Sequence, residues 1–105
     1  MNDAKAVTIT LDKERTIIYN NRAEYRMGSL DRPFTIDDLR KGRKRWAALV
    51  AWVWACLSER DALDLGTPDE VAPLLGDAAV IGKAFEAFVS TYAAAQPSDA
   101  KNGQG

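Results

Sequence analysis

Trp46-Ala47-Ala48-Leu49-Val50-Ala51-Trp52-Val53-Trp54-Ala55-Cys56-Leu57 is a run of twelve residues with no polar side chain among them. It is too short to cross a bilayer, which takes about 20 residues, and too long and alanine-rich for a strand, so it reads as a buried helix. On a 100° wheel Trp46, Leu49, Val50, Val53, Trp54 and Leu57 fall on one side with the upstream Leu39. Ala48, Ala51, Trp52 and Ala55 make a second apolar arc on the other. A helix that is apolar all round is buried all round. Either it is the central helix of the domain, or its second face meets another subunit, with Trp52 as a large ring among small residues that let a partner backbone approach.

Upstream, Thr35 and Asp38 have capping-box spacing, and Phe34 and Leu39 flank them as a hydrophobic staple. The pattern predicts one long helix from Thr35 to about Leu57, interrupted only by Gly42, which costs about 1 kcal/mol relative to Ala. Its early turns carry Arg40-Lys41-Gly42-Arg43-Lys44-Arg45, five cations in six residues. Cations at a helix N-terminus oppose the macrodipole, so this run is locally unfavourable. It reads as a solvated face or as a contact for an acidic partner.

Further upstream, Val7, Ile9 and Leu11 alternate with Thr8 and Thr10, and a Thr16-Ile17-Ile18-Tyr19 run follows the polar Asp12-Lys13-Glu14-Arg15. This predicts a β-hairpin with a four-residue connection. Two strands alone are marginal in water, so the hairpin must lay its apolar face on helices or on another subunit. Asn21 and Glu24 predict the cap of a short helix to Met27 or Leu30, with Ala23, Met27 and Leu30 inward.

Downstream, Thr67-Pro68-Asp69-Glu70 opens another short helix, which Pro73 kinks. Asp77 caps a final helix whose stripe Val80, Ile81, Ala84, Phe85, Phe88, Val89 and Tyr92 reads as core. The fold class is therefore α+β, mainly α: an N-terminal β-hairpin followed by about four α-helices. Residues 1–95 form a single domain and the polar stretch 96–105 a flexible tail.

The composition narrows the function classes. Fourteen Lys and Arg balance fifteen Asp and Glu, so the whole-chain charge of −1 gives no argument for nucleic acid or an acidic membrane. Histidine is absent, which removes the commonest general base and transition-metal ligand. The lone Cys56 has apolar neighbours and reads as an inert buried residue. Glu59, Asp61 and Asp64 could be hard-cation ligands, but their spacing fits no EF-hand and a polar loop explains them equally well. The expectation is a non-enzyme with no cofactor or metal and no membrane segment. The N-terminus lacks the order of a signal peptide, so the expected compartment is the cytoplasm.

The hairpin Val7–Asp12 and Thr16–Tyr19, the first helix Asn21–Leu30, the tryptophan- and alanine-rich helix Trp46–Leu57 and the opening Leu65-Gly66-Thr67-Pro68-Asp69-Glu70-Val71 together cover most of the chain. In that order they resemble the tail assembly chaperones of long-tailed bacteriophages and related prophage or gene-transfer particles. The resemblance departs in two places: the hairpin connection lacks a glycine, and the Arg40–Arg45 run is more basic than the general pattern.

The resemblance implies a small α-rich protein that binds the tape-measure protein, or another tail protein, while tail-tube subunits assemble in the bacterial host cell. Such proteins often self-associate, which makes a homo-oligomer the expectation, and are often also made in a frameshifted longer form. On this reading the partner groove is Trp52, Trp54, Ala48 and Ala55, with Arg43, Lys44 and Arg45 steering an acidic segment. The acids Glu59, Asp61, Asp64, Asp69, Glu70 and Asp77 offer a complementary surface in the same molecule or in a neighbour. Readings from other classes are a small nucleic-acid-binding regulator using the basic run, which the charge balance does not favour, and a structural minor tail or connector subunit.

Overall fold

The computed structural model describes residues 5–96. Strands β1 (Val7–Thr10) and β2 (Glu14–Ile17) form an antiparallel hairpin. Helices α1 (Asn21–Gly28), α2 (Arg45–Cys56), α3 (Glu59–Asp64), α4 (Pro68–Val71) and α5 (Ala78–Ala95) follow. One 3-10 turn, Ile36–Leu39, precedes α2 and another, Ala72–Leu75, follows α4. The chain is thus α+β and mainly α, as its patterning predicts.

Register explains the hairpin. Val7 pairs with Ile17 and Ile9 with Arg15, so these four share a face; Ile9, Arg15 and Ile17 are buried while Thr8, Thr10 and Glu14 are exposed. The buried face lies on α5, which supplies the support that two isolated strands lack. The connection is Leu11-Asp12-Lys13, three residues rather than the expected four, because Glu14 and Arg15 belong to β2. Asp12 makes the turn, its carboxylate accepting from the Lys13 N–H and from the Arg15 guanidinium.

Helix α2 is central. Its neighbours include α1, α4, α5 and the Ile36–Leu39 turn, and its end is stitched to β2 through an isolated bridge between Ile17 and Leu57. There the Ile18 N–H donates to the Cys56 carbonyl (2.8 Å) and the Ser58 N–H to that of Thr16 (2.9 Å). Arg26 of α1 donates to the carbonyls of Ala55 and Leu57, satisfying acceptors that a helix C-terminus leaves free. Every residue from Ala48 to Leu57 is buried. Of the two explanations for a helix apolar all round, internal burial is the one observed.

The long helix expected from Thr35 does not form. Its capping box is present, with the Thr35 hydroxyl accepting from the Asp38 N–H and the Asp38 carboxylate from the Thr35 N–H, yet it caps only the 3-10 turn. The chain then leaves helical geometry at Gly42, φ +98°, and restarts at Arg45 with no side-chain cap. Five clustered cations beside a free helix N-terminus repel one another and the macrodipole, and glycine supplies the left-handed residue the break needs. No heavy atom stands within 4 Å of a Cβ built at Gly42, so only backbone strain opposes a side chain there. Gly42→Ala is expected to cost about 1–2 kcal/mol, read as a lowered urea midpoint with an unchanged slope.

The first helix starts one residue earlier than expected. Asn20, not Asn21, is its N-cap, accepting from the Ala23 N–H, while Glu24 bonds the Tyr19 hydroxyl instead of reaching back. Helix α3 replaces the expected polar loop, with Ser58 as its cap. The next short helix is a single turn that passes into 3-10 geometry before Gly76, as the placement of Pro73 requires. Gln96 closes α5, and the rest of the expected tail lies outside the described residues. No helix among the described residues is long and apolar enough to cross a membrane.

Candidate functional site

Helix α5 is apolar on more of its circumference than the protein covers. Ala84, Ala87, Phe88 and Thr91 are buried against the rest of the domain. Thr91 is the locking residue of that face: its hydroxyl accepts from the Tyr19 N–H (2.9 Å) and donates to the Lys5 carbonyl (2.5 Å). These bonds tie both ends of the hairpin to α5 and fix which way the helix turns. The expected core stripe is therefore only half core. Val89 is 46% exposed and Ile81, Phe85 and Tyr92 are half-buried, whereas Ala87 and Thr91, absent from the expected stripe, are covered.

Two clefts open along this outer face and share the Phe85 side chain. One, of about 600 Å³, lies between α5 and the Ile36–Leu39 turn and is lined by Ile36, Phe85, Val89 and Tyr92, with Asp37 and Arg40 also among its lining residues. The other, of about 420 Å³, lies between α5 and the start of α2 and is lined by Trp46, Leu49, Ile81 and Phe85, with Arg43 and Arg45 also lining it. The Arg45 guanidinium carbon stands 5.8 Å from the centroid of the Phe85 ring, a cation–π distance. Trp46, 42% exposed, is the only tryptophan that solvent reaches appreciably.

The residues expected to form the groove lie elsewhere. Ala48, Ala55 and Trp52 are at most 2% exposed and Trp54 9%. Trp52 packs against Tyr19 and Phe88, with ring centroids at 5.9 and 5.7 Å, and its indole N–H donates to the Thr35 carbonyl (3.3 Å). This face of α2 is occupied by the protein's own rings, so it offers no groove. Of the expected basic set, Arg43 and Arg45 line the second cleft, and Lys44 is exposed at the N-cap of α2. The clefts escape a reading of the sequence because Ile81, Phe85 and Val89 continue the spacing of the true core residues.

Glu59, Asp61 and Asp64 have cation partners of their own, and none belongs to the basic run. Asp61 and Asp64 both accept from Arg15, Lys13 also reaches Asp64, and Glu59 pairs with Arg22. Among the described residues Arg40 pairs with Asp37 (3.4 Å), while Lys41, Arg43, Lys44 and Arg45 have no carboxylate within 4.0 Å. Arg43 and Arg45 thus border an apolar cleft, Arg45 over the Phe85 ring, while Lys41 and Lys44 are exposed.

No family model, curated protein or solved structure matches the chain.

Among the described residues no group of three His, Cys, Asp or Glu is placed to hold a metal ion. The carboxylates around Arg15 serve as its hydrogen-bond acceptors. Burial pushes the Cys56 thiol up to about 12, against the pull of Arg26, which leaves it protonated and poorly nucleophilic at neutral pH. A disulfide reagent such as Ellman's is expected to modify Cys56 no faster than the protein unfolds; rapid modification of the native protein would overturn that assignment.

Proposed function

We propose that this protein is a non-catalytic tail assembly chaperone of a phage or prophage, acting in the bacterial cytoplasm by covering apolar segments of a long helical tape-measure protein. The observation that carries this reading is the uncovered apolar face of α5, where Ile81, Phe85 and Val89 line two clefts on a folded domain. A tape-measure chain would expose apolar seams before the tube encloses it, and a groove of this kind is what an amphipathic helix seats in. The site differs from the one the resemblance suggested, but its chemistry is the same: apolar surface bordered by Arg43 and Arg45.

The test is genetic and biochemical. The nucleotide sequence across this gene's stop codon should contain a slippery run, an overlapping frame and then a long helical coding region. Co-expression should keep that long product in the soluble fraction, and Phe85→Glu should lose the effect while the domain stays folded. A downstream protein equally soluble without the chaperone would overturn the reading.

A second reading has one observation in its favour: Arg43, which has no carboxylate partner, lines the same cleft as the exposed Trp46. Phosphate contacts and stacking on that ring would suit a small nucleic-acid-binding regulator. It predicts DNA binding that falls steeply with salt and vanishes when Arg43, Lys44 and Arg45 become Ala.

A further inference from the structure

Resting on the chaperone reading, we propose that the outer face of α5 takes an acidic amphipathic helix of about three turns, its apolar side chains seated on either side of Phe85 and its carboxylates over Arg43 and Arg45. The apolar residues from Ile81 to Ala93 span about 18 Å at 1.5 Å per residue, which matches three turns of a partner helix. Phe85 belongs to both clefts and divides the surface in two. A docked helix must therefore straddle its ring with anchors on both sides, at spacings such as i, i+4 and i+7.

Charge selects the kind of helix. Arg43 and Arg45 line one cleft and Arg40 the other; the only acid lining either is Asp37, already paired with Arg40. Lys41 and Lys44, exposed in the same basic run, have no carboxylate of their own either. A partner carrying glutamates or aspartates along one flank satisfies these cations, whereas a basic one is repelled. The same argument disfavours a second copy seated face to face, since the two linings together would set six arginines against two aspartates. It also separates a helix from a nucleic acid: Leu49, Ile81 and Val89 offer apolar surface that a phosphate backbone cannot use.

The experiment titrates the intact protein with three probes at two salt concentrations, following tryptophan emission, in which Trp46 is the solvent-exposed contributor, and binding heat. The first probe is a synthetic helical peptide of about 15 residues with leucines at i, i+4 and i+7 and flanking glutamates. The second carries lysine in place of every glutamate, and the third is a DNA duplex. The glutamate peptide is expected to bind at least about 10-fold more tightly than the lysine peptide, with a blue shift of the tryptophan emission. Exposed-site substitution Arg43→Glu with Arg45→Glu should reverse that order with an unchanged helical circular dichroism spectrum.

Equal affinity for the two peptides, binding of neither, tighter binding of the duplex, or a shift that tracks protein concentration alone each overturns the proposal. If the downstream long protein is still kept soluble in any of those cases, the acidic-helix inference falls and the chaperone reading stands. If peptide discrimination holds while the downstream protein gains nothing, the chaperone reading falls and the docking surface stands.

Discussion

Arg15→Met is expected to cost about 3–5 kcal/mol of folding stability, because it leaves a buried charge without its partner. Arg15 is 3% exposed and the side chain of Asp61 9%. The guanidinium donates to Asp12 (2.7 and 3.0 Å), Asp61 (3.1 Å) and Asp64 (2.8 Å), joining the hairpin turn to both ends of α3. Burial works against the charged form of Asp61, and donation from the Thr16 N–H, Arg15 and the Ser58 hydroxyl overcomes it, holding the carboxyl below its ordinary range. Donation from Arg15 does the same for Asp12 and Asp64.

A domain of this size has about 5–15 kcal/mol in total, so the loss should dominate its urea unfolding curve. Adding Asp61→Asn to Arg15→Met removes the stranded charge and should recover part of the loss; a double variant no more stable than the single one would refute the electrostatic account.

The pH dependence follows with a definite sign. A carboxyl whose folded-state pKa is depressed contributes stability above its unfolded value, about 3.9, and loses it as pH falls through the folded value. Wild-type stability should therefore hold from neutral pH to about 5 and decline below about 4. Arg15→Met lacks the depressing partner, so the gap between variant and wild type should narrow as pH falls through that range. A constant gap from pH 7 to 3 would mean that the network contributes through shape rather than charge.

What could be read from the sequence depended on range. The run Trp46–Leu57 announces a buried helix because no polar residue interrupts it, and the Pro68 and Asp77 starts carry local signals at fixed offsets. Apart from the exposed Asp12, the partners of Arg15 come 46 and 49 residues later, so nothing near it in sequence marks it as buried; within Asp12-Lys13-Glu14-Arg15 it looks like one more turn residue. Helix α3 had a local signal, Ser58 three residues before Asp61, which is hard to separate from loop chemistry in a six-residue element.

The break at Gly42 turned on a balance. Helix continuation costs little at any single position, yet repulsion among five cations and the dipole tips it. On α5 the periodicity was correct, and what it could not give was the width of the covered stripe. That width is set by where the hairpin lands, through Thr91 and Tyr19, and a threonine amid apolar residues reads as surface. The candidate site emerged from the same ambiguity, since half-buried Phe85 and fully buried Phe88 look alike in sequence.

Trp52→Ala separates the two possible roles of that tryptophan by a large margin. As a partner anchor it would be removable with little loss of stability, and even a charged replacement would leave the free domain helical. As the structure places it, Trp52 fills the space among Tyr19, Phe88 and the Thr35 carbonyl at 2% exposure. Truncating a buried tryptophan costs about 3–5 kcal/mol through lost transfer energy and the cavity left behind. The Ile36–Leu39 turn also loses its tether when the indole N–H is gone. The expected result is a fall in the urea midpoint comparable to that of Arg15→Met, with near-UV circular dichroism lost before far-UV. Phe85→Ser, on the half-buried outer face, should cost about 1 kcal/mol by the area still in water and act on binding instead. A Trp52→Ala domain within about 1 kcal/mol of wild type would return the α2 face to the candidates for a partner surface and remove the argument for placing that surface on α5.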